Sequence, residues 1–82
     1  MFELYQLGQL VAGAECGTLS NAAEQLHISQ PALSRSMQRL EAELQVTLFI
    51  RKKNKIELNE NGRMAVGYAR KIREQAHDMI SR

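Results

Sequence analysis

The sequence of 82 residues contains one cysteine, one proline and no tryptophan. Because Cys16 is alone, no intramolecular disulfide can form, and nothing indicates an oxidising compartment. Aromatic residues make up only 5% of the chain, so the core must be built from aliphatic side chains. No apolar run approaches the roughly 20 residues of a membrane span, and Met1-Phe2-Glu3 does not begin a signal peptide. These absences predict a soluble, single-domain, cytoplasmic protein.

Positive charge is missing from the first third of the chain and concentrated in the middle. Residues 1–28 contain three glutamates and no lysine or arginine, whereas residues 29–55 contain six basic residues against two acidic ones. The remaining residues are nearly balanced. The basic middle predicts a surface that faces a polyanion. From charge alone, the alternative is a solvated surface with a chance excess of positive charge.

Apolar periodicity predicts two helices before residue 28. The first carries apolar residues at helical spacing, namely Leu4, Leu7, Leu10, Val11 and Ala14, and is expected to stop at Gly17. Ser20 is predicted to cap a short second helix, with Ala22, Ala23 and Leu26 facing inward. A break is expected around His27-Ile28.

The strongest helix signal begins at Ser29-Gln30-Pro31. Ser29 can cap this helix, and Pro31 falls in the first turn, where its missing N–H costs nothing. An apolar stripe with intervals of four, three and four residues follows, made of Leu33, Met37, Leu40 and Leu44. The helix is expected to run from residue 30 to Gln45 or Val46. Its opposite face presents Pro31, Arg35, Gln38 and Ala42, with Ser34 on the flank and no acid before Glu41.

The period changes after the third helix. Leu48 and Ile50 on one side, and Ile56 and Leu58 on the other, enclose a basic run, which predicts a hairpin over about residues 48–58. Asn59 can cap a final helix over residues 59–82. That helix carries a seam at heptad spacing, made of Ala65, Ala69, Ile72, Ala76 and Met79, with Met64, Tyr68 and Ile80 beside it. The seam is expected to pack either on a second copy of the chain or back on the first helix.

These elements together predict a mainly α fold. Two short helices separated by a tight break form a helix-turn-helix over about residues 19–38, and the basic hairpin makes it a winged helix-turn-helix. The predicted architecture is therefore a three-helix core with a short β-hairpin wing over residues 1–58, followed by a long C-terminal linker helix.

The order of these residues resembles a known family. Residues 17–51 are similar to the N-terminal DNA-binding domain of LysR-type bacterial transcriptional regulators, most specifically in the run from Ala22-Ala23 to Ser29-Gln30-Pro31-Ala32-Leu33-Ser34. The likeness continues through Leu58-Asn59-Glu60-Asn61-Gly62, which resembles the entry into the family's linker helix. Leu10 stands where the family often has Phe, Gln45 where Gly is usual, and Asn59 where Thr is usual. Gln45 makes the helix exit harder to place, because Gly adopts a left-handed conformation more easily.

The resemblance implies sequence-specific binding of double-stranded DNA by a homodimer, with two copies reading an inverted-repeat operator. It also implies dimerisation through the linker helix at Ala65, Tyr68, Ala69, Ile72, Ala76 and Met79. Family members carry a C-terminal effector-sensing domain that these residues do not include, and RNA polymerase is a candidate partner of a full-length protein. We expect a fragment of a longer regulator, because the chain stops within a helical pattern that has no C-cap signal.

The candidate DNA-binding residues lie on the third helix and the wing: Ser29, Gln30, Pro31, Ser34, Arg35, Gln38, Arg39, Arg51, Lys52, Lys53 and Lys55. Gln30 can pair with adenine or with a phosphate, and Arg35 can pair with guanine or with a phosphate. The wing residues can enter a minor groove or grip flanking phosphates, or simply keep the hairpin tip soluble. Arg51 has a further possible role in a structural ion pair. Backbone N–H groups of Ser20 and Asn21 are weaker candidates for phosphate contacts.

Two other function classes fit the sequence less well. A winged helix can serve as a protein-interaction module, but apolar residues would then be expected on the exposed face of the third helix. An enzyme would need clustered acids or a nucleophile beside a base, and the acids are scattered. His27, His77 and Cys16 lack metal-ligand spacing, so neither a metal nor a cofactor is predicted. His27 is interpreted as a turn residue and Cys16 as a small apolar filler.

Overall fold

The computed structural model of the chain describes residues 2–53 and 55–81, without the side chain of Arg51. Within these residues the order of elements is α1 (Leu4–Cys16), α2 (Leu19–Leu26), α3 (Gln30–Leu44), β1 (Phe49–Lys52), β2 (Lys55–Leu58) and α4 (Glu60–Ser81). The two strands form one antiparallel hairpin. The predicted winged helix-turn-helix with a long final helix is confirmed. No helix in the described part of the chain combines the length and the apolar character needed to cross a membrane.

The core is aliphatic, as the composition predicts. It consists of buried residues from all four helices and from the segment before the hairpin: Leu7, Leu10, Val11, Ala22, Ala23, Leu33, Met37, Leu40, Leu48, Val66 and Ala69. Phe2 and Phe49 pack against its edge and are only partly buried. The stripe predicted for α3 therefore faces the core, with Leu44 at its margin.

The ends of α1 and α2 are set by local chemistry. α1 stops at Gly17, whose left-handed φ of 77° suits glycine and whose N–H donates to the Gly13 carbonyl. The prediction that Ser20 caps α2 is wrong, because Thr18 has the extended backbone of an N-cap and its Oγ1 accepts from the Asn21 N–H at 3.1 Å. Ser20 lies instead in the first turn of α2. His27, with φ 58°, terminates α2 as the expected turn residue.

Helix α3 begins as predicted and ends slightly early. Ser29 Oγ accepts from the Ala32 N–H at 3.2 Å, which caps the helix, and Pro31 lies in the first turn. The last helical residue is Leu44 because Gln45 takes the left-handed conformation, with φ 59°. A glutamine thus occupies the position where glycine is the easier residue.

The hairpin is joined to the helix-turn-helix at the start of α2. Ile50 pairs with Glu57 and Lys52 with Lys55 in the register of the strands. Lys55 also forms an isolated bridge with Thr18, and the Ile56 N–H donates to the Gly17 carbonyl at 3.0 Å. These bonds hold the wing against the loop between α1 and α2.

The apolar residues of the hairpin differ in how far they are buried. Ile56 and Leu58 are half-buried against the core. Leu48 is 1% exposed but precedes β1, whereas Ile50 is 44% exposed. The predicted hairpin is confirmed, although Leu48 lies before its first strand and Ile50 lies outside the core.

The entry to α4 is fixed by the backbone of Leu48. The Leu48 N–H donates to Glu41 Oε2 at 2.8 Å, and the Leu48 carbonyl accepts from the Asn59 N–H at 3.0 Å. Asn59 Oδ1 accepts from the Gly62 N–H at 2.8 Å, which confirms Asn59 as the cap. Gly62 is required here, since a Cβ on it would lie 2.1 Å from the Leu48 oxygen. These contacts tie α3, the wing and α4 together.

Candidate nucleic-acid interface

The surface that α3 presents away from the core is polar and basic. Gln30, Pro31, Arg35, Gln38 and Arg39 are all exposed, while the apolar stripe on the opposite side of the helix is buried. No acidic residue occurs between Ser29 and Leu40. The first ten residues of α3 can therefore approach a polyanion without charge repulsion from their own helix.

Helix α3 is held at its angle by contacts from α1 that the sequence did not indicate. Gln6 is a buried polar residue, 2% exposed. Its Oε1 accepts from the Glu3 N–H at 2.7 Å, and its Nε2 donates to the Ser36 carbonyl at 3.4 Å. Ser36 Oγ also donates to Gln9 Oε1. The Glu3-to-Gln6 spacing is that of a capping box and could have revealed the cap, although not the contact with α3.

The first turns of α2 and α3 are linked through their side chains. Gln30 Nε2 donates a hydrogen bond to Ser20 Oγ at 2.8 Å, across ten residues of sequence. The link joins a predicted DNA-binding residue to Ser20, for which the sequence suggested a cap of α2 and a backbone N–H contact with phosphate, but no side-chain contact with α3. The N–H of Asn21, suggested with it, is already used by the Thr18 cap.

The wing brings three lysines to the same end of the molecule as α3. Lys52, Lys53 and Lys55 are exposed. Lys52 Nζ lies 2.9 Å from Glu57 Oε2 across the hairpin. This hydrogen bond to Lys52, together with the charges of Lys52 and Lys55, lowers the pKa of Glu57 below its ordinary value. Glu57 therefore stays ionised at neutral pH and partly neutralises Lys52.

A shallow groove of about 190 Å³ separates α3 from the wing. Its lining is mostly apolar and comprises Leu19, Ser34, Met37, Phe49, Ile50, Lys52, Lys55 and Ile56. Ser34 is half-buried at this groove rather than fully outward, which agrees with its predicted place on the flank. The groove thus brings Ser34 together with Lys52 and Lys55. The alternative roles of the Arg51 side chain lie outside the described part of the chain.

The predicted dimer residues divide between two surroundings. Ala69 is 0% exposed and belongs to the core with Val66, where α4 packs on α1. Ala65 and Ala76 are half-buried. Tyr68, Ile72 and Met79 are exposed by 63%, 38% and 74%. The seam is therefore divided: Ala69 packs on the first helix, whereas Ile72 and Met79 are exposed. Together with Met64 and Tyr68 they form an exposed apolar stripe on α4.

The remaining residues that the sequence analysis considered are Cys16 and His77. Cys16 is half-buried at the core edge, and its Sγ donates to Gln25 Oε1 at 3.0 Å. His77 lies near the end of α4, with its ring 3.4 Å from Ser81 Oγ. Among residues 2–53 and 55–81, no three His, Cys, Asp or Glu side chains form a group that could hold a metal ion.

The comparison with protein families identifies the chain. Residues 4–63 match the family described as bacterial regulatory helix-turn-helix protein, lysR family. The chain belongs to the LysR family. The match runs from α1 into the first turn of α4 and so contains the helix-turn-helix and the wing. The expected resemblance is confirmed over most of the chain.

This chain is similar in sequence to individual LysR-family proteins. The chain is 45% identical over 74 residues to the HTH-type transcriptional regulator TcbR of Pseudomonas sp. strain P51, covering 90% of this chain and 25% of TcbR. It is 41% identical over 70 residues to an uncharacterized HTH-type transcriptional regulator of Azotobacter vinelandii, covering 85% of this chain and 49% of that protein. The chain thus spans a quarter to a half of the length of these two relatives.

Solved structures of LysR-family DNA-binding domains share the fold. The DNA-binding domain of CbnR in complex with DNA superposes with a TM-score of 0.93 at 41% identity, covering 98% of this chain and 92% of that chain. The DNA-binding domain of BenM in complex with the catB site 1 DNA gives a TM-score of 0.92 at 35% identity, covering 98% and 86%. The coverage includes α4 as well as the wing.

Proposed function

We propose that this chain binds double-stranded DNA sequence-specifically as the DNA-binding domain of a LysR-type transcriptional regulator. Residues 1–58 form the winged helix-turn-helix unit and residues 59–82 the linker helix. The observation that carries the proposal is the exposed outer face of the first ten residues of α3, which has no acidic residue and lies beside the lysines of the wing. An α-helix fits the major groove of B-DNA, where polar side chains can read base edges. Two similar domains, those of CbnR and BenM, have been solved with DNA.

We assign the individual contacts from the exposure of the side chains and their order along α3 and the wing. Gln30 and Arg35 are exposed in the first two turns of α3 and reach base edges, while Arg39 lies further along and reaches phosphate. Ser29, Pro31, Ser34 and Gln38 complete the α3 contacts. Lys53 and Lys55, with Lys52 and Arg51, bind the minor groove or the flanking phosphates.

A second copy of the chain completes the proposed DNA-binding unit. The exposed stripe on α4, formed by Met64, Tyr68, Ile72 and Met79, is apolar and has no cover in the single chain. Packing two such stripes together removes apolar surface from water. A homodimer of this kind presents two copies of α3 to the halves of an inverted repeat. Ala69, buried in its own core, has no part in this interface.

The first experiment selects binding sites from random duplexes and then titrates the best duplex and a scrambled control at two salt concentrations. Specific binding predicts an enriched inverted repeat, preferred well beyond ten-fold, with affinity that falls as salt rises. Equal affinity for both duplexes at each salt concentration would contradict sequence-specific binding and leave only a basic surface.

The protein-interaction alternative is not favoured, because the exposed face of α3 carries Gln and Arg side chains rather than an apolar patch. The proposed role is binding without catalysis, since the relatives are transcriptional regulators. Because its target is bacterial DNA, the proposal places the protein in the cytoplasm. RNA polymerase remains a candidate partner for a full-length regulator.

A further inference from the structure

The hydrogen bond between Ser20 and Gln30 connects the two helices of the helix-turn-helix at the surface that faces DNA. Gln30 is the first residue of α3, and Ser20 lies in the first turn of α2. Gln30 Nε2 donates to Ser20 Oγ at 2.8 Å. Gln30 is exposed and Ser20 is half-buried, so neither side chain is needed to fill the core.

This bond determines which polar groups of Gln30 remain for a ligand. A glutamine amide has two N–H donors and one carbonyl acceptor. With one N–H engaged by Ser20, one N–H and Oε1 remain for a ligand. Adenine presents a matching pair in the major groove, because its N7 accepts and its N6 amino group donates.

We propose that Ser20 is a positioning residue that orients the Gln30 amide to read an adenine in each half-site. The inference rests on the proposed function, since it requires α3 to lie in the major groove. Ser20 acts through Gln30 and contributes selectivity for one base pair.

The position of Ser20 suits this role. It lies two residues after the Thr18 cap and two before the buried Ala22, so the backbone that carries it is held at both ends. A free glutamine side chain loses several rotamers when it is ordered by a base. A hydrogen bond to a neighbouring helix orders the side chain in the free protein, so less conformational entropy is lost when DNA binds.

The experiment compares base preferences of the parent chain with those of Ser20→Ala, Ser20→Thr, Gln30→Ala and the Ser20→Ala/Gln30→Ala double variant. Affinities are measured for duplexes that carry each of the four bases at every half-site position. Ser20→Ala should reduce the preference for adenine at one position by about three- to ten-fold, the effect of one hydrogen bond. Ser20→Thr keeps the hydroxyl and should retain the preference. Preferences at all other positions should not change.

The double variant separates positioning from a direct contact. If Ser20 acts through Gln30, removing the hydroxyl has no further effect once Gln30 is alanine. A loss of affinity for all sequences alike, which persists in the Gln30→Ala background, would instead make Ser20 a phosphate contact and overturn the inference. Unchanged base preferences in Ser20→Ala would overturn it too. Thermal unfolding of each variant checks that the fold is intact.

The proposed function can be judged in the same measurements. If the parent chain prefers an inverted repeat and Arg35→Ala alters that preference but Gln30→Ala does not, the inference about Ser20 fails and the proposed function stands. If the parent chain has no preferred sequence, the proposed function fails first.

Discussion

Two groups of side chains act on or from α3. One group packs against α3 and fixes its position, and the other lies on its exposed face. Gln6 and Ser36 belong to the first group, since Gln6 is buried and donates to the Ser36 carbonyl. Arg35 belongs to the second, since it is exposed on the acid-free face. Substitution in the first group should change stability, whereas substitution in the second should change DNA binding alone.

Arg35→Ala should weaken binding to the preferred duplex by about 1–3 kcal/mol and relax the preference at one base pair, because a bidentate contact to guanine would be lost. Lys53→Ala is the matched control. It should weaken all duplexes alike and reduce the salt slope by about 1, as expected for a phosphate contact. Titrations against single-base variants at several salt concentrations measure both effects. Identical behaviour of the two variants would contradict the assignment of Arg35 to a base.

Gly62→Ala should destabilise the fold by about 3 kcal/mol, because the new Cβ would lie 2.1 Å from the Leu48 carbonyl oxygen. That oxygen also accepts from the Asn59 N–H, so it cannot shift without loss of the bond. Gly67→Ala, on the same helix with nothing within 4 Å, should instead stabilise by up to about 1 kcal/mol. Urea unfolding of both variants makes the comparison. Equal stabilities of the two variants would show that the backbone at Leu48 can shift away from the added Cβ at little cost in free energy.

At the scale of helices and strands, the sequence predicted the elements better than their ends and surroundings. Periodicity located all four helices, but Ser20 and Thr18 are both good caps, and only the extended backbone of Thr18 decides between them. Ile50 continues an apolar alternation yet is exposed, because the wing covers the core mainly through Ile56 and Leu58. The Gln6 contact with Ser36 depends on how two helices cross, which a linear pattern does not contain.

The seam on α4 illustrates the same limit. Its spacing predicted an apolar stripe, but spacing cannot distinguish a neighbour in the same chain from a second copy. Ala69 packs on the chain's own core, while Tyr68 and Met79 remain exposed. The outward face of α3 was easier to predict, because its stripe of leucines and its cap both fix the helix orientation.

Within the wing, Glu57→Gln should increase affinity for DNA of any sequence and steepen the salt dependence, by up to about 1 in slope. Glu57 Oε2 lies 2.9 Å from Lys52 Nζ and partly neutralises the positive charge of Lys52. Its pKa is lowered by Lys52, so the ion pair is present at neutral pH and is lost only as pH falls through the lowered value. The effect of the substitution should therefore disappear in acid.

The control for this prediction is Glu74→Gln, which makes the same change in net charge on α4, away from the wing. Salt-dependent titrations at neutral pH compare the two variants. If both raise affinity equally, the effect comes from overall charge and not from release of Lys52.

For the molecule as a whole, the exposed apolar face of α4 is the surface on which the proposed homodimer depends. A domain of 82 residues has a small core. Among the described residues of α4, Val66 and Ala69 are the buried side chains that belong to it. Ala65 and Ala76 are half-buried, and the larger apolar side chains Met64, Tyr68, Ile72 and Met79 face outward. A partner chain would therefore add stability as well as the second half of a symmetric reading surface.

Ile72→Asp and Met79→Asp should each convert the proposed dimer into monomers, because either places a carboxylate at the proposed apolar interface. Met79 is 74% exposed in the single chain, so its substitution should leave the fold of the monomer intact. Val46→Asp, which alters a 41% exposed apolar residue between α3 and β1, is the control and should leave the dimer unchanged. Sedimentation over a range of concentrations measures the three variants against the parent chain. If Ile72→Asp and Met79→Asp sediment like the parent dimer, the interface lies elsewhere.

If the two variants are monomeric, they should bind a single half-site as well as the parent chain does. They should lose the added affinity for an inverted repeat, because only a dimer engages both halves at once.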